Sequence, residues 1–275
     1  MRRRQVFHML GAAFAATALG GSNAFAQGRR VDSVGLQLYT LRNEMAEDFD
    51  GTLARVAELG YREMEFAGYY GRSASEVRQA LADNGLVSPA SHIQLNAIRE
   101  NLAREIEFAA EVGQRFLVVP SLPGNERSLD DYRRHAETLN GAGEECLRAG
   151  LKMGYHNHGF EFEPTEGQIP YEILLTDTDP ELVEMELDLF WIVDAGADPL
   201  EYFTAHPGRF SMLHVKDRTA DGAMVDVGSG AIDFAGIFAH AETAGFRHYF
   251  VEHDNPGDGF TSVANSISHL RELQF

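Results

Sequence analysis

Residues 154–163 read Gly-Tyr-His-Asn-His-Gly-Phe-Glu-Phe-Glu, a strand-like run from Lys152 that passes straight into imidazoles and carboxylates. Met185-Glu186-Leu187-Asp188, Met212-Leu213-His214-Val215-Lys216-Asp217 and Phe250-Val251-Glu252-His253-Asp254 end in the same way further along the chain. Each is a short apolar run that delivers an ionisable, metal-competent side chain near its C-terminal end. Such groups must stay hydrated or be paired. Repeating the arrangement four times therefore implies that the four ends converge. Side chains alternate along a strand, so His156 and His158 point the same way, as do His214 and Lys216. Two imidazoles and two carboxylates drawn from these ends make a mixed nitrogen–oxygen set. It suits one Mn, Co, Zn or Fe(II) ion better than it suits Mg or Ca.

The elements that must position these groups recur every 25 to 35 residues or so. Helix-periodic stretches stop at Gly60, Gly85, Gly113, Gly150 and Gly245, the residue type that best takes a left-handed helix C-cap. A β-like run follows each stop. Eight such runs are expected, at 34–39, 63–67, 88–93, 116–121, 152–158, 183–189, 210–216 and 249–252. The alternation alone also permits an open doubly wound sheet; the count of eight favours an α/β fold closed as a single-domain (β/α)8 barrel over residues 31–275. In such a barrel the reactive groups sit at the C-terminal strand ends. Those ends carry Glu65, His92, His156, His158, Asp188, His214, Lys216 and Glu252, with Gln37 and Tyr39 on the first strand as hydroxyl contacts for a ligand. Glu65 and His92 are read as substrate contacts, against the plainer reading of His92 as a hydrogen-bonded structural histidine. Trp191 and Phe190 serve equally as an apolar wall or as core, and His206, His240, His248 and His269 read as surface residues. No Gly-x-Gly-x-x-Gly turn or phosphate loop is present, and Gly228-Ser229-Gly230 reads as a tight turn.

Residues 1–26 hold three consecutive arginines, then an Ala/Gly/Leu-rich stretch and Ala24-Phe25-Ala26, the pattern of a cleaved export signal. The paired arginines followed by Val6-Phe7 favour the twin-arginine route and a periplasmic destination. The stretch is too short and small-residue-rich for a spanning helix, so no stable membrane insertion is expected after cleavage. The chain has a formal net charge of −19, and −22 without those arginines, which argues against a nucleic-acid backbone as partner. Cys146 is the only cysteine and sits in a helical pattern, so no intrachain disulfide forms.

With those residues in place the chain resembles the xylose isomerase-like superfamily of sugar phosphate isomerases and epimerases. That group is related to inosose isomerases, ketose 3-epimerases and apurinic endonucleases. The likeness covers nearly all of residues 31–275. It implies a divalent metal held by strand-end groups: Asp188, His214 and Glu252 match three of the family's positions. His156 stands at the fourth, where the family usually has glutamate. It further implies a small sugar or polyol substrate and proton abstraction beside a carbonyl, with Lys216 steadying the resulting oxyanion. Isomerisation or epimerisation is the first expectation. Because one of the family's two metal-bound glutamates is replaced, a lyase or hydratase acting on 3-keto-glycosides or keto-inositols is the alternative, and a non-catalytic carbohydrate-binding barrel the other. His158 and Glu252 are expected to move protons, with Glu161 as a relay or hydroxyl contact; the competing role for His158 is support of a metal ligand.

Overall fold

The computed structural model describes residues 28–275; the export signal expected over 1–26 lies outside them. Eight parallel strands close into a barrel: β1 Gly35–Gln37, β2 Glu63–Phe66, β3 Val87–His92, β4 Phe116–Val119, β5 Lys152–His156, β6 Val183–Asp188, β7 Phe210–Val215 and β8 His248–Val251. Each pairs with its sequence neighbours, and β1 closes the ring against β8. The glycine stops hold: Gly60, Gly113 and Gly245 cap their helices in the left-handed region. The strands end one or two residues earlier than expected, and at two of them the local reason is plain. At β1 the Gln37 side chain accepts from the Tyr39 amide and starts a 3-10 turn over Leu38–Leu41. At β5 the chain turns at Asn157, whose Oδ1 accepts the Asp188 amide at 3.0 Å.

Alternation along the strands divides the interior into two environments. On β6, Val183, Met185 and Leu187 face outward into the large core between barrel and helices, while Glu184, Glu186 and Asp188 face the barrel axis. The axis is layered. At its N-terminal end His248 pairs with Glu63 at 2.8 Å and Lys152 with Glu184 at 2.8 Å. Above them lies an apolar plug of Ala90, Phe116, Val118, Met212 and Phe250. Gly154 on β5 makes room for it, since a Cβ there would meet Val118 at 2.9 Å and Met212 at 3.2 Å. The charged groups sit on top of this plug, at the C-terminal rim. His248 thus belongs to the barrel floor and not to the surface, because its even position on β8 points inward with Phe250 and Glu252. Cys146 is buried and its thiol is pushed up to about 12 by that burial, which leaves it inert. Among the described residues no helix is long and apolar enough to cross a membrane.

Candidate active site

The uppermost charged layer is built by the ends of β5, β6, β7 and β8. His156, Asp188, His214 and Glu252 are all buried and place one donor atom each within 4.8 Å of the others. Asp188 is oriented from two sides. Its Oδ1 accepts the Trp191 amide at 3.0 Å, capping the short helix Leu189–Asp194, while its Oδ2 lies 3.1 Å from His156 Nε2. His156 is fixed by its other nitrogen, Nδ1, which donates to the Pro120 carbonyl at 3.0 Å. A ligand imidazole held through its far nitrogen in this way is the usual support of a metal centre. His214 Nδ1 lies 2.7 Å from Glu252 Oε2, out of line for a hydrogen bond. Ligand bonds of about 2.0–2.2 Å put neighbouring donor atoms roughly 3 Å apart, close to what these contacts span. The donor set fits one divalent cation.

Electrostatics point the same way. Asp188, Glu252 and Asp254 crowd around one ammonium, Lys216. Its Nζ lies 2.9 Å from Asp188 Oδ2, 2.7 Å from Glu252 Oε2 and 2.8 Å from Asp254 Oδ1. Burial opposes charge on Lys216, but these three carboxylates outweigh it and hold the pKa well above the ordinary lysine value. The same contacts act in reverse on the acids. Burial alone would raise Asp188, but Lys216 and His156 bring it down to about 2, and Lys216 and His214 hold Glu252 well below its usual range. His156 is kept neutral chiefly by burial, the state a metal ligand needs.

Beneath this layer lies a second one made of Glu65, His92, Glu186 and the far side of His214. His214 Nε2 bonds Glu65 Oε2 at 2.7 Å, and His92 Nε2 bonds Glu186 Oε2 at 2.8 Å. Gln37 Nε2 donates to Glu65 Oε2 at 2.8 Å. Gln37 and Glu65 therefore lie under the ligand layer and are fully buried, where they orient His214 and do not face a ligand as expected. The reason is register: Gln37 and Glu65 are partners one level below the rim.

Above both layers opens a cavity of about 410 Å³. Of the expected site residues, Tyr39, His92, His156, His158, Lys216 and Glu252 line it, while Asp188 and His214 lie behind its wall. The His158 ring stands edge-on to His156, with centroids 5.1 Å apart. Its Nδ1 has no partner, and burial with the neighbouring His156 lowers its pKa to about 3, so the imidazole is neutral. Glu161 departs from its expected place. Its carboxyl is wholly buried beneath the loop, taking the Tyr155 hydroxyl at 2.6 Å and the His158 amide at 2.8 Å. It anchors the turn that presents His158 and does not reach the cavity. Asp254 and Asn255, outside the expected set of site residues, line the cavity from the loop after β8. The Gly228–Gly230 amides are spoken for, since Gly228 and Gly230 both donate to Asp217 Oδ2 at 2.9 Å. That loop is a turn, not an anion cradle.

A closed parallel barrel with ionisable groups gathered at its C-terminal rim is an enzyme architecture, and known proteins resemble this chain. Residues 53–273 match the model of the xylose isomerase-like TIM barrel family, and the chain belongs to that family. An inosose dehydratase of Geobacillus kaustophilus is 26% identical over 231 residues, covering 69% of this chain and 74% of that protein. Two solved structures from Parabacteroides distasonis, each described as a sugar phosphate isomerase/epimerase, superpose well. One is 33% identical with a TM-score of 0.75, covering 91% of this chain and 96% of that one. The other is 28% identical with a TM-score of 0.78, covering 88% and 98%.

Proposed function

We propose that the protein is a divalent-metal-dependent lyase that enolises a keto-sugar or keto-polyol and expels the substituent on the carbon beyond. The observation that carries this reading is an asymmetry. Glu252 is the only carboxylate among the four donors that lines the cavity, and the other protein groups facing it from β5 and the loop after it are the neutral imidazoles of His156 and His158. A proton exchange between two metal-bound carboxylates, one on each face of the sugar, lacks its second member. Elimination needs one base, a firm cation beside the oxyanion and a route for the leaving group. The kinship with inosose dehydratases supports the same chemistry.

When bound, the divalent ion would supply Lewis-acid polarisation of the substrate carbonyl from the site formed by His156, Asp188, His214 and Glu252. The protein's own groups do the rest. His158, at the cavity wall with an unpartnered Nδ1, takes the proton from the carbon next to the carbonyl. The freed electron pair moves onto the carbonyl oxygen, beside Lys216. That ammonium is engaged by three carboxylates, of which Asp254 alone is outside the donor set and partly exposed, so the substrate oxygen takes the place of Asp254. Return of the pair forms a carbon–carbon double bond and breaks the next carbon–oxygen bond. His158 then hands its proton to the departing oxygen, and nothing is oxidised or reduced overall.

The test is NMR of candidate keto-inositols and 3-keto-sugars in D₂O with Mn²⁺-loaded protein. Deuterium at the carbon beside the carbonyl together with loss of water or alcohol supports the lyase, and abolition by a chelator ties it to the ion. Deuterium with retention of every oxygen substituent would instead support isomerisation or epimerisation, the reading favoured by the two Parabacteroides neighbours. No exchange on any ketone would leave a carbohydrate-binding barrel. We also propose export by the twin-arginine route, from residues 1–26; replacing Arg2, Arg3 and Arg4 by Lys should retain the protein in the cytoplasm on cell fractionation.

A further inference from the structure

His158 is a partition as well as a wall. One side of its ring faces the metal cavity; the other borders a second cavity of about 350 Å³, which lies between the loops that follow β5 and β6. Three rings stand in series there. Phe160 lies nearly parallel to His158 with centroids 5.8 Å apart, and Trp191 lies on it at 5.4 Å. Arg127 covers Phe160, its guanidinium carbon 3.3 Å from the ring centroid, and so stiffens that end of the row. The remaining rim carries two carboxylates, Glu163 and Asp194. Asp194 is held in place by Arg218 at 2.9 Å. Apolar faces with a few fixed acceptors are the make-up of a small-molecule subsite. Aromatic faces suit the C–H surface of a sugar ring, and carboxylates suit its hydroxyls.

We propose that this groove is a second sugar subsite, and that the substrate is a two-ring compound whose bridging oxygen lies beside His158. The inference rests on the lyase reading and names its leaving group. With the ketone at C3 of the ring in the metal cavity, the proton lost is on C2 and the bond broken joins C1 to the bridging oxygen. The electron pair of the C2–H bond becomes the C1–C2 double bond. The bridging oxygen keeps the pair of the broken bond, receives the proton from His158 and leaves as the hydroxyl of the second sugar, which the groove has held.

Trp191 is the only tryptophan in the chain and lines this groove, so its fluorescence reports on occupancy there. The probes are 3-keto-glucose and a glucose disaccharide oxidised at C3 of its non-reducing ring, titrated into Mn²⁺-loaded protein by calorimetry and by Trp191 emission, at a temperature where turnover is slow. The disaccharide should bind at least about tenfold tighter, as expected from burying one more ring against aromatic walls, and it alone should shift the emission. Ala195→Phe, which fills the groove from an exposed helix end, should erase the tenfold preference and leave the affinity for 3-keto-glucose unchanged. Equal affinity for the two probes, or a preference that survives Ala195→Phe, overturns the subsite while leaving the lyase intact. Failure of both probes to bind overturns the second sugar subsite and leaves the lyase reading to the keto-inositols.

Discussion

The His214 ring separates two layers that draw on the same side-chain types and use them in opposite ways. On its Nδ1 side stand His156, Asp188 and Glu252, close enough to share an ion and, at the His214–Glu252 contact, aimed so that no hydrogen bond forms. On its Nε2 side stand Glu65, His92 and Glu186, equally close, but joined by hydrogen bonds of normal direction at 2.7 and 2.8 Å. Proximity alone would make two metal sites of these. The His214–Glu252 contact is what sets them apart, and on the proposed reading the upper layer holds the ion while the lower one supports it. The charge states follow the same division. Burial and Glu186 raise Glu65, whereas His214 and His92 outweigh burial and hold Glu186 well below its usual range. One carboxyl of the lower pair thus leans toward its proton while the other stays ionised, and buried like charges are kept apart. A support of this kind fixes the tautomer of His214 and makes its Nδ1 a better donor.

Two residues on β6, Asp188 and Glu186, test that division because they sit one pleat apart on the same face. Asp188→Ala should remove the ion altogether, measured by elemental analysis, and lower turnover by about 10³-fold or more, since both the polarising charge and its orientation are lost. His158→Gln comes next. It should leave metal content intact and reduce turnover by about 10²-fold, with solvent deuterium exchange falling in parallel, as for loss of a general base. If the ion is lost instead, and activity returns on adding metal, His158 belongs to the support and not to the chemistry. Glu186→Gln should act by affinity: the ion stays at full occupancy under saturating metal, while its dissociation constant rises about 10- to 100-fold, the customary cost of disturbing a ligand's partner. Complete loss of metal in Glu186→Gln would make the lower layer part of the coordination sphere and dissolve the distinction.

The upper layer was readable from the sequence because each of its members is the last chemical group on an apolar strand, and glycine stops marked where strands began. The lower layer was not. Glu186 sits mid-strand, where a carboxylate between Met185 and Leu187 reads as ordinary alternation toward water; only its shared parity with Asp188 betrays an inward position. Gln37 and Glu65 were recognised as strand-end groups but not assigned their depth, which depends on the stagger between strands. Asn157, between His156 and His158, turns out to tie β5 to β6, a contact 31 residues away along the chain. Asp254 and the Trp191 groove depend on how loops fold over the rim, and local pattern carries little of that.

Glu161 offers the finest test, because sequence position made it a proton relay and the structure makes it a post. Its carboxyl accepts from Tyr155 and from the His158 amide, and burial raises its pKa to about 7 despite those bonds. The sign of the consequence is fixed. The folded protein keeps this proton up to about pH 7, whereas the unfolded chain releases it near its ordinary value of 4.5. The protonated form therefore contributes stability that is fully present below pH 4.5 and is lost as pH rises through about 7, a change of about 3 kcal/mol for a shift of this size. Glu161→Gln cannot ionise. It carries a constant cost for one imperfect hydrogen bond, of about 1 kcal/mol, and escapes the charging penalty. Urea unfolding of the two proteins at pH 5, 6, 7 and 8 should show the variant less stable at pH 5 and level with or above the parent at pH 8, other titrating groups cancelling in the difference. Turnover at pH 7 should change by less than about tenfold if Glu161 only holds the turn under His158. A loss near 10²-fold with unchanged metal content and an unchanged stability difference across pH would restore the relay.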